Sequence, residues 1–219
     1  MVKKIVTNRN LRQNVYEAVR NFIVSHEVPP GAKIDEEALA NDLGVSKTPV
    51  REALSKLAHE SIVQIIPNRG SYKVKLSTED LLEIMIIRET LEGLCVRLAA
   101  KHVNYKTINK LKSILDDFEK NYLESDISRY PEALQKFHTI IYSMSKSPRL
   151  IRIIQSIYDL TRLFRLQYFN NPERVKRSLK VHRELIDALE TGEGELAEKI
   201  RKEAIRFAYE SLMKRVSEP

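Results

Sequence analysis

Tryptophan is absent from this 219-residue chain, cysteine occurs once and glycine only six times. A single cysteine excludes an internal disulfide. Cys95 sits among Leu91, Leu94 and Leu98 on a helical pattern, which predicts an inert core thiol rather than a reactive one. The scarcity of glycine points to many helices and few tight turns, and no glycine-rich phosphate loop or nucleophile motif is found. Nothing resembles a signal peptide or an uninterrupted apolar span of membrane length, so a cytoplasmic protein with no membrane partner is expected. Sequence repeats, low-complexity tracts and long heptad runs are also missing.

What remains is a globular balance, 42% hydrophobic and 31% charged, with length for two small domains. Lysine and arginine number 37 against 30 acids, a formal charge of +7 that favours an anionic partner without naming it. The excess is denser at the N-terminus: residues 1–76 hold 12 basic against 8 acidic side chains.

The strongest signal lies in Gly44 to Ala58, GVSKTPVREALSKLA. Val50, Ala53, Leu54 and Leu57 repeat at the spacing of a helix that buries one stripe. Lys47 and Arg51 lie one turn apart on the other side. Ser46 is placed to cap the helix, and Pro49 is tolerable in its first turn. The tip therefore presents Ser46, Lys47, Thr48 and Arg51: hydroxyls for phosphates, cations for phosphate or guanine edges. A recognition helix enters a major groove in this way, N-terminal end first.

Around it, apolar periodicity predicts a first helix over about Arg9–His26, ended by Val28-Pro29-Pro30-Gly31, and a short second helix over Glu36–Asp42 capped by Asp35. Gly44 supplies the corner of a helix-turn-helix. Ile62–Ile66 and Ser71–Lys75 read as two strands joined by Pro67-Asn68-Arg69-Gly70, a hairpin wing whose Arg69 suits a minor groove or phosphate. From Ser77 the pattern is helical: to about His102, then from Asn104 or Thr107 to Glu124, Ser128–Ser145, Ser147–Phe169, Pro172–Glu190 and Glu193–Val216. The fold class is mainly α: a winged helix-turn-helix of three helices plus a β-hairpin over 1–76, and an all-helical bundle over 77–219.

Pro30-Gly31, Leu39-Ala40, the run from Leu43 to Leu54 and Arg69-Gly70 resemble the winged-helix domain of the GntR family of bacterial transcription regulators. Lys47 stands where arginine is usual and Ser61 where a glycine commonly sits. The resemblance implies DNA binding through Ser46, Lys47, Thr48, Arg51, Arg69 and Gly70. The second half, through Arg88-Glu89-Thr90-Leu91-Glu92, Ala99-Ala100, Phe137-His138, Pro148-Arg149-Leu150, His182 and the stretch from Gly192 to Ala197, resembles the helical effector domain of that family's FadR-like, or FCD, branch. Many such domains hold a divalent metal through an aspartate four residues before the first histidine and two further histidines. Those positions are Leu134 and Ala204 here, so no metal and no other cofactor is expected. Glu203 and Gln135 are adjacent, but a neighbouring helix position points about 100° away.

His138 shares a face with Leu134, Phe137 and Ile141, and His182 with Leu185, Ile186 and Leu189, so both point inward. As core histidines bonded to neighbours they need no ligand. With the resemblance they line an effector pocket with Arg88, whose two-pronged hydrogen bond would take a carboxylate. Helix phase leaves open which of Arg162 and Arg165 turns inward. The expectation is a homodimeric transcription regulator of operator DNA, a repressor controlled by a small carboxylate. The alternatives are an architectural DNA-binding protein without an effector, and an enzyme using His138 or His182 as base, which lacks partner residues. A cavity between the helices separates regulator from scaffold.

Overall fold

The computed structural model describes residues 11–25, 28–161 and 169–216, in two compact units, 1–77 and 78–219.

The first unit contains α1 (Leu11–Ile23), α2 (Glu36–Leu43), α3 (Lys47–His59) and an antiparallel hairpin of β1 (Val63–Ile66) and β2 (Gly70–Lys73). The register pairs Val63 with Lys73 and Ile66 with Gly70. The expected stripe of α3, Val50, Ala53, Leu54 and Leu57, is buried, and α1 packs Val15, Val19 and Ile23 behind it. Asp35 caps α2, accepting from the amides of Glu37 at 3.0 Å and Ala38 at 2.9 Å. Gly44 turns the corner at φ +68°, and its amide donates back to the end of α2. A side chain there would cost about 1–2 kcal/mol.

One expectation is corrected in this unit. α1 ends at Ile23, three residues short of His26, which with Glu27 and the expected start at Arg9 lies outside the described residues. At its end the buried Lys73 ammonium donates to the carbonyls of Ser25 (3.1 Å) and Val28 (2.8 Å); the residue four on from Ser25 is Pro29, which has no amide to offer it. Ser61 occupies the left-handed region at φ +59°, the conformation that glycine adopts without strain.

The second unit is an array of helices: α4 (Thr78–Ala99), α5 (Tyr105–Asn121), α6 (Tyr130–Met144), α7 (Pro148–Leu160), α8 (Pro172–Glu190) and α9 (Gly194–Val216), with 3₁₀ turns at Ala100–His102 and Ile127–Arg129. Asn104 caps α5 and Asn171 caps α8 through their side-chain oxygens. α4 runs along α9 and also packs on α6 and α7, while α5 packs on α6 and α8. Phe118, Tyr130 and Phe137 anchor the core, each contributing about 2 kcal/mol through burial. Cys95 is buried among them, and burial pushes its thiol pKa up, as an inert core position requires. The helix expected over Ser147–Phe169 ends at Leu160 instead, and Arg162 and Arg165 fall in 162–168, outside the described residues.

Candidate functional site

The tip of α3 is exposed: Ser46, Lys47 and Thr48 face solvent, and Arg51 follows one turn later. Ser46 has the extended backbone of an N-cap, but its side chain makes no capping hydrogen bond. Pro49 withholds one of the two amides that such a cap would use. A capping hydroxyl accepts from the second or third helical amide, and the third residue here has none to give. The Ser46 hydroxyl is thereby left for an outside acceptor or donor such as a phosphate.

Lys47 and Arg51 are both paired. Lys47 Nζ lies 2.9 Å from Glu37, and Arg51 Nε lies 2.9 Å from Glu36, whose other oxygen accepts from the Ser71 hydroxyl at 2.9 Å. Sequence reasoning missed these acids; the spacing of α2 and α3 around Gly44 was their only trace. The Arg51 hydrogen bond, opposed by burial and aided by Ser71, holds the Glu36 carboxyl below its usual range. With Arg51 68% exposed the pair contributes little stability, but it fixes direction. Among the described residues, only Nε of Arg51 is engaged, so the planar fork of Nη1 and Nη2 remains available.

Arg69 is exposed on the hairpin turn and Gly70 follows at φ +107°, where an added Cβ would come within 3.2 Å of the Lys33 side chain. Lys33, Lys47, Arg51, Arg69 and Gly70 line one concave surface, with Glu36 and Glu37. Helix and wing thus present their cations on a single face, with Ser46 and Thr48 at the helix tip beside it.

In the helical unit a cavity of about 510 Å³ opens between α4, α6, α8 and α9. Arg88, His138 and His182 all line it, as do Leu134 and Ala204. The two histidines are hydrogen-bonded to each other, Nε2 to Nε2, at 3.0 Å. Nδ1 of His182 lies 2.6 Å from the Ser178 carbonyl, which can only accept, so Nδ1 carries the proton. Burial, reinforced by the nearby Arg201 charge, lowers the His182 pKa to about 3. The neutral ring therefore has a bare Nε2, which accepts from Nε2–H of His138.

A divalent metal does not fit these residues. Its two imidazole donors are turned on each other, Leu134 and Ala204 bring no ligand, Glu203 is exposed, and a buried guanidinium adds like charge. Among the described residues no group of three or more metal-ligating side chains converges.

Arg88 is not an isolated pocket cation. Its Nε donates to Glu92 at 2.7 Å, one turn along α4, and the other Glu92 oxygen is held by Arg201 of α9 and by the Tyr142 hydroxyl of α6. Glu92 is 1% exposed. Burial alone would raise its pKa, but Arg201 and Arg88 hold it down to about 2; burial and the adjacent carboxylate push the Tyr142 hydroxyl well up. Arg201, which lines the cavity, and Glu92 beneath it were missed in the sequence. Their signal was position: Glu92 precedes Cys95, Val96 and Ala99 on the buried stripe of α4, and Arg201 lies between Ala197 and Ile205 on that of α9.

A winged helix-turn-helix joined to an all-helical unit with an internal cavity is the architecture of a DNA-binding transcription regulator. The family model for bacterial regulatory proteins of the gntR family matches residues 11–72, and that for the FCD domain matches residues 83–207. The chain belongs to the GntR family, in its FCD branch, and is a regulator rather than an enzyme. It is 29% identical over 197 residues to the "Probable D-xylose utilization operon transcriptional repressor" of Paenarthrobacter nicotinovorans, covering 88% of this chain and 86% of that one. It is 24% identical over 202 residues to the HTH-type transcriptional repressor RspR of Escherichia coli, covering 92% and 89%. Among solved structures, Escherichia coli McbR/YncC shares the fold with a TM-score of 0.83 at 22% identity, covering 97% of this chain and 100% of that one.

Two outcomes are expected from this geometry. Glu36→Gln removes a negative charge from the face shared by α3 and the wing, so affinity for random duplex should rise; affinity for the operator should fall, because Arg51 loses its charge-assisted hold. Titrating both DNAs by fluorescence anisotropy checks this, and a rise for both would sever Glu36 from Arg51 positioning. In the helical unit, the unfolded chain protonates His182 near 6.5 but the folded one only near 3. Stability is therefore complete above 6.5 and falls as pH drops through that window, by about 1 kcal/mol per pH unit for this one proton. His182→Gln should flatten the decline in thermal midpoint between pH 7 and pH 5; an unchanged slope would show that His182 does not carry it.

Proposed function

We propose that the protein is a cytoplasmic, homodimeric repressor whose two winged helices bind a pseudo-palindromic operator, and whose helical unit binds a small carboxylate that relieves repression. The observation that carries the DNA reading is the shared face of α3 and the wing, where Arg51, held through Nε, keeps its fork outward beside Lys47 and Arg69. Repression follows the two relatives named as repressors. No helix among the described residues is long and apolar enough to cross a membrane, which agrees with a site of action at DNA.

Two arguments support the dimer. One short recognition helix reads few base pairs, whereas two half-sites multiply discrimination. Leu82 and Ile86 of α4, one turn apart at 44% and 54% exposure, turn apolar side chains to solvent, Leu94 follows two turns on at 41%, and α7 adds the exposed Ile153. Such a face on a charged chain is best covered by its own copy about a two-fold axis.

The cavity favours regulation over the scaffold reading, since an architectural protein needs a solid core there. A carboxylate in it would meet the unengaged Nη1 and Nη2 of Arg88. By preferring one packing of the helices it would shift the spacing of the two DNA-binding units.

Selection from random duplex should recover an operator with two-fold symmetry, and Arg51→Ala should weaken its binding by about 1–3 kcal/mol while circular dichroism stays helical. Unchanged affinity at moderate salt would remove Arg51 from the interface. Ile86→Glu should convert dimer to monomer by light scattering and lower operator affinity; a dimer that persists would place the interface elsewhere.

A further inference from the structure

The charges around the cavity do not cancel. Arg88 and Arg201 bring two guanidinium groups to its wall, and Glu92 answers with one carboxylate. Tyr142 and His182 remain neutral, for the reasons given above. The other charged groups lining the opening are Arg177, Lys180, Glu184 and Glu203, all exposed and two of each sign. The Arg88–Glu92–Arg201 cluster therefore leaves one positive charge in excess, on side chains only 5% and 15% exposed, a cost that a counter-anion would remove.

Glu92 holds Arg88 by Nε and Arg201 by Nε and Nη2, with Nη2 also near the Tyr142 hydroxyl at 3.2 Å. Among the described residues nothing accepts from Nη1 or Nη2 of Arg88, or from Nη1 of Arg201. The charged groups gather around Glu92, while Leu81, Ile84, Leu134, Phe169, Ile205 and Phe207 supply apolar wall. A cavity of about 510 Å³ exceeds what a two- or three-carbon acid fills.

We propose that this cavity takes a monoanion, one carboxylate on an apolar body, without a metal ion, and that the Arg88–Glu92–Arg201 cluster supplies its single compensating charge. This rests on the reading of the cavity as the effector site and states which carboxylates enter. The carboxylate is gripped by the fork of Arg88, with Nη1 of Arg201 as a further donor. A second carboxylate would meet only the exposed Arg177, stacked on Phe207, and Lys180, whose charges Glu184 and Glu203 already offset, and it carries a desolvation cost in the apolar part. A divalent ion would add charge of the sign already in excess.

The test uses the full chain, purified with chelator and dialysed. Octanoate and phenylacetate are compared with adipate, a dianion, and with phenylacetamide, which keeps the ring but not the charge. Thermal shift and calorimetry read binding, each with and without added zinc or nickel. The two monocarboxylates should raise the melting temperature at millimolar concentration, equally in chelator and in metal, and adipate and the amide should not. Arg88→Gln, which leaves Glu92 with Arg201 and Tyr142, should weaken the monocarboxylates roughly tenfold or more with the helical spectrum intact. Should that variant unfold, Arg88→Lys, which keeps charge but loses the fork, gives the same comparison with a smaller loss.

Tighter binding of adipate, a requirement for metal, equal binding of the amide, or no shift from either monocarboxylate overturns the proposal. The two readings fail separately. Operator release by adipate or a metal-bound polyacid leaves a carboxylate-controlled regulator and removes only the monoanion; operator binding indifferent to every acid while the monocarboxylates still bind removes the control and leaves the site.

Discussion

A carboxylate that cannot reach water governs the helical unit. Glu92 draws in Arg88 from its own helix, Tyr142 from α6 and Arg201 from α9, so three helices share one small charged knot. Such a knot is a weak source of net stability, because desolvating its members offsets most of their attraction. It is a strong constraint on arrangement, since withdrawing one member strands the others at about 3–5 kcal/mol. The cavity follows from it. Apolar side chains cannot close over guanidinium groups that still have hydrogen bonds to give, so the bundle keeps an opening where the core would otherwise be filled.

The DNA-binding unit solves an orienting problem with the same chemistry at its surface. Glu36 reaches from α2 to Arg51 on α3 and to Ser71 on β2, joining helix, helix and wing through one side chain. In water the link is weak, and it leaves the outer nitrogens of Arg51 free for another acceptor. Inside the bundle the same pairing is dry, and there it fixes helices instead of aiming a side chain.

Most of the fold was legible because it is written in periodicity. The stripe from Val50 to Leu57, the cap at Asp35, the corner at Gly44 and the hairpin around Arg69-Gly70 each follow from local chemistry, and helix limits in the second unit agreed to within a few residues except at α7, which ends at Leu160 and not at Phe169. The failures were of two kinds. Ser46 as a capping residue failed: its side chain makes no cap hydrogen bond, and Pro49 withholds one of the two amides it would have used. Glu36, Glu37, Glu92 and Arg201 failed because pairing across elements has no local signature; a charged residue on an apolar stripe announces burial but not its partner. The convergence of Arg88, His138 and His182 on one cavity was anticipated from inward-facing stripes and family likeness, whereas the bond between the two imidazoles was not.

The position of the charged knot along its helices matters as much as its chemistry. α4 and α9 run antiparallel, with Arg97 near Glu195 and Glu198 at one end and Glu89 bonded to Arg206 towards the other. Glu92 and Arg201 join them between these points. The cavity borders the stretch of α4 from Leu81 to Arg88, on the far side of that join from Arg97. Thr78, where α4 begins, is also the first residue after the DNA-binding unit. A pin set off-centre divides α4 into unequal arms, and the longer one, which borders the cavity, is the arm that continues into residues 1–77.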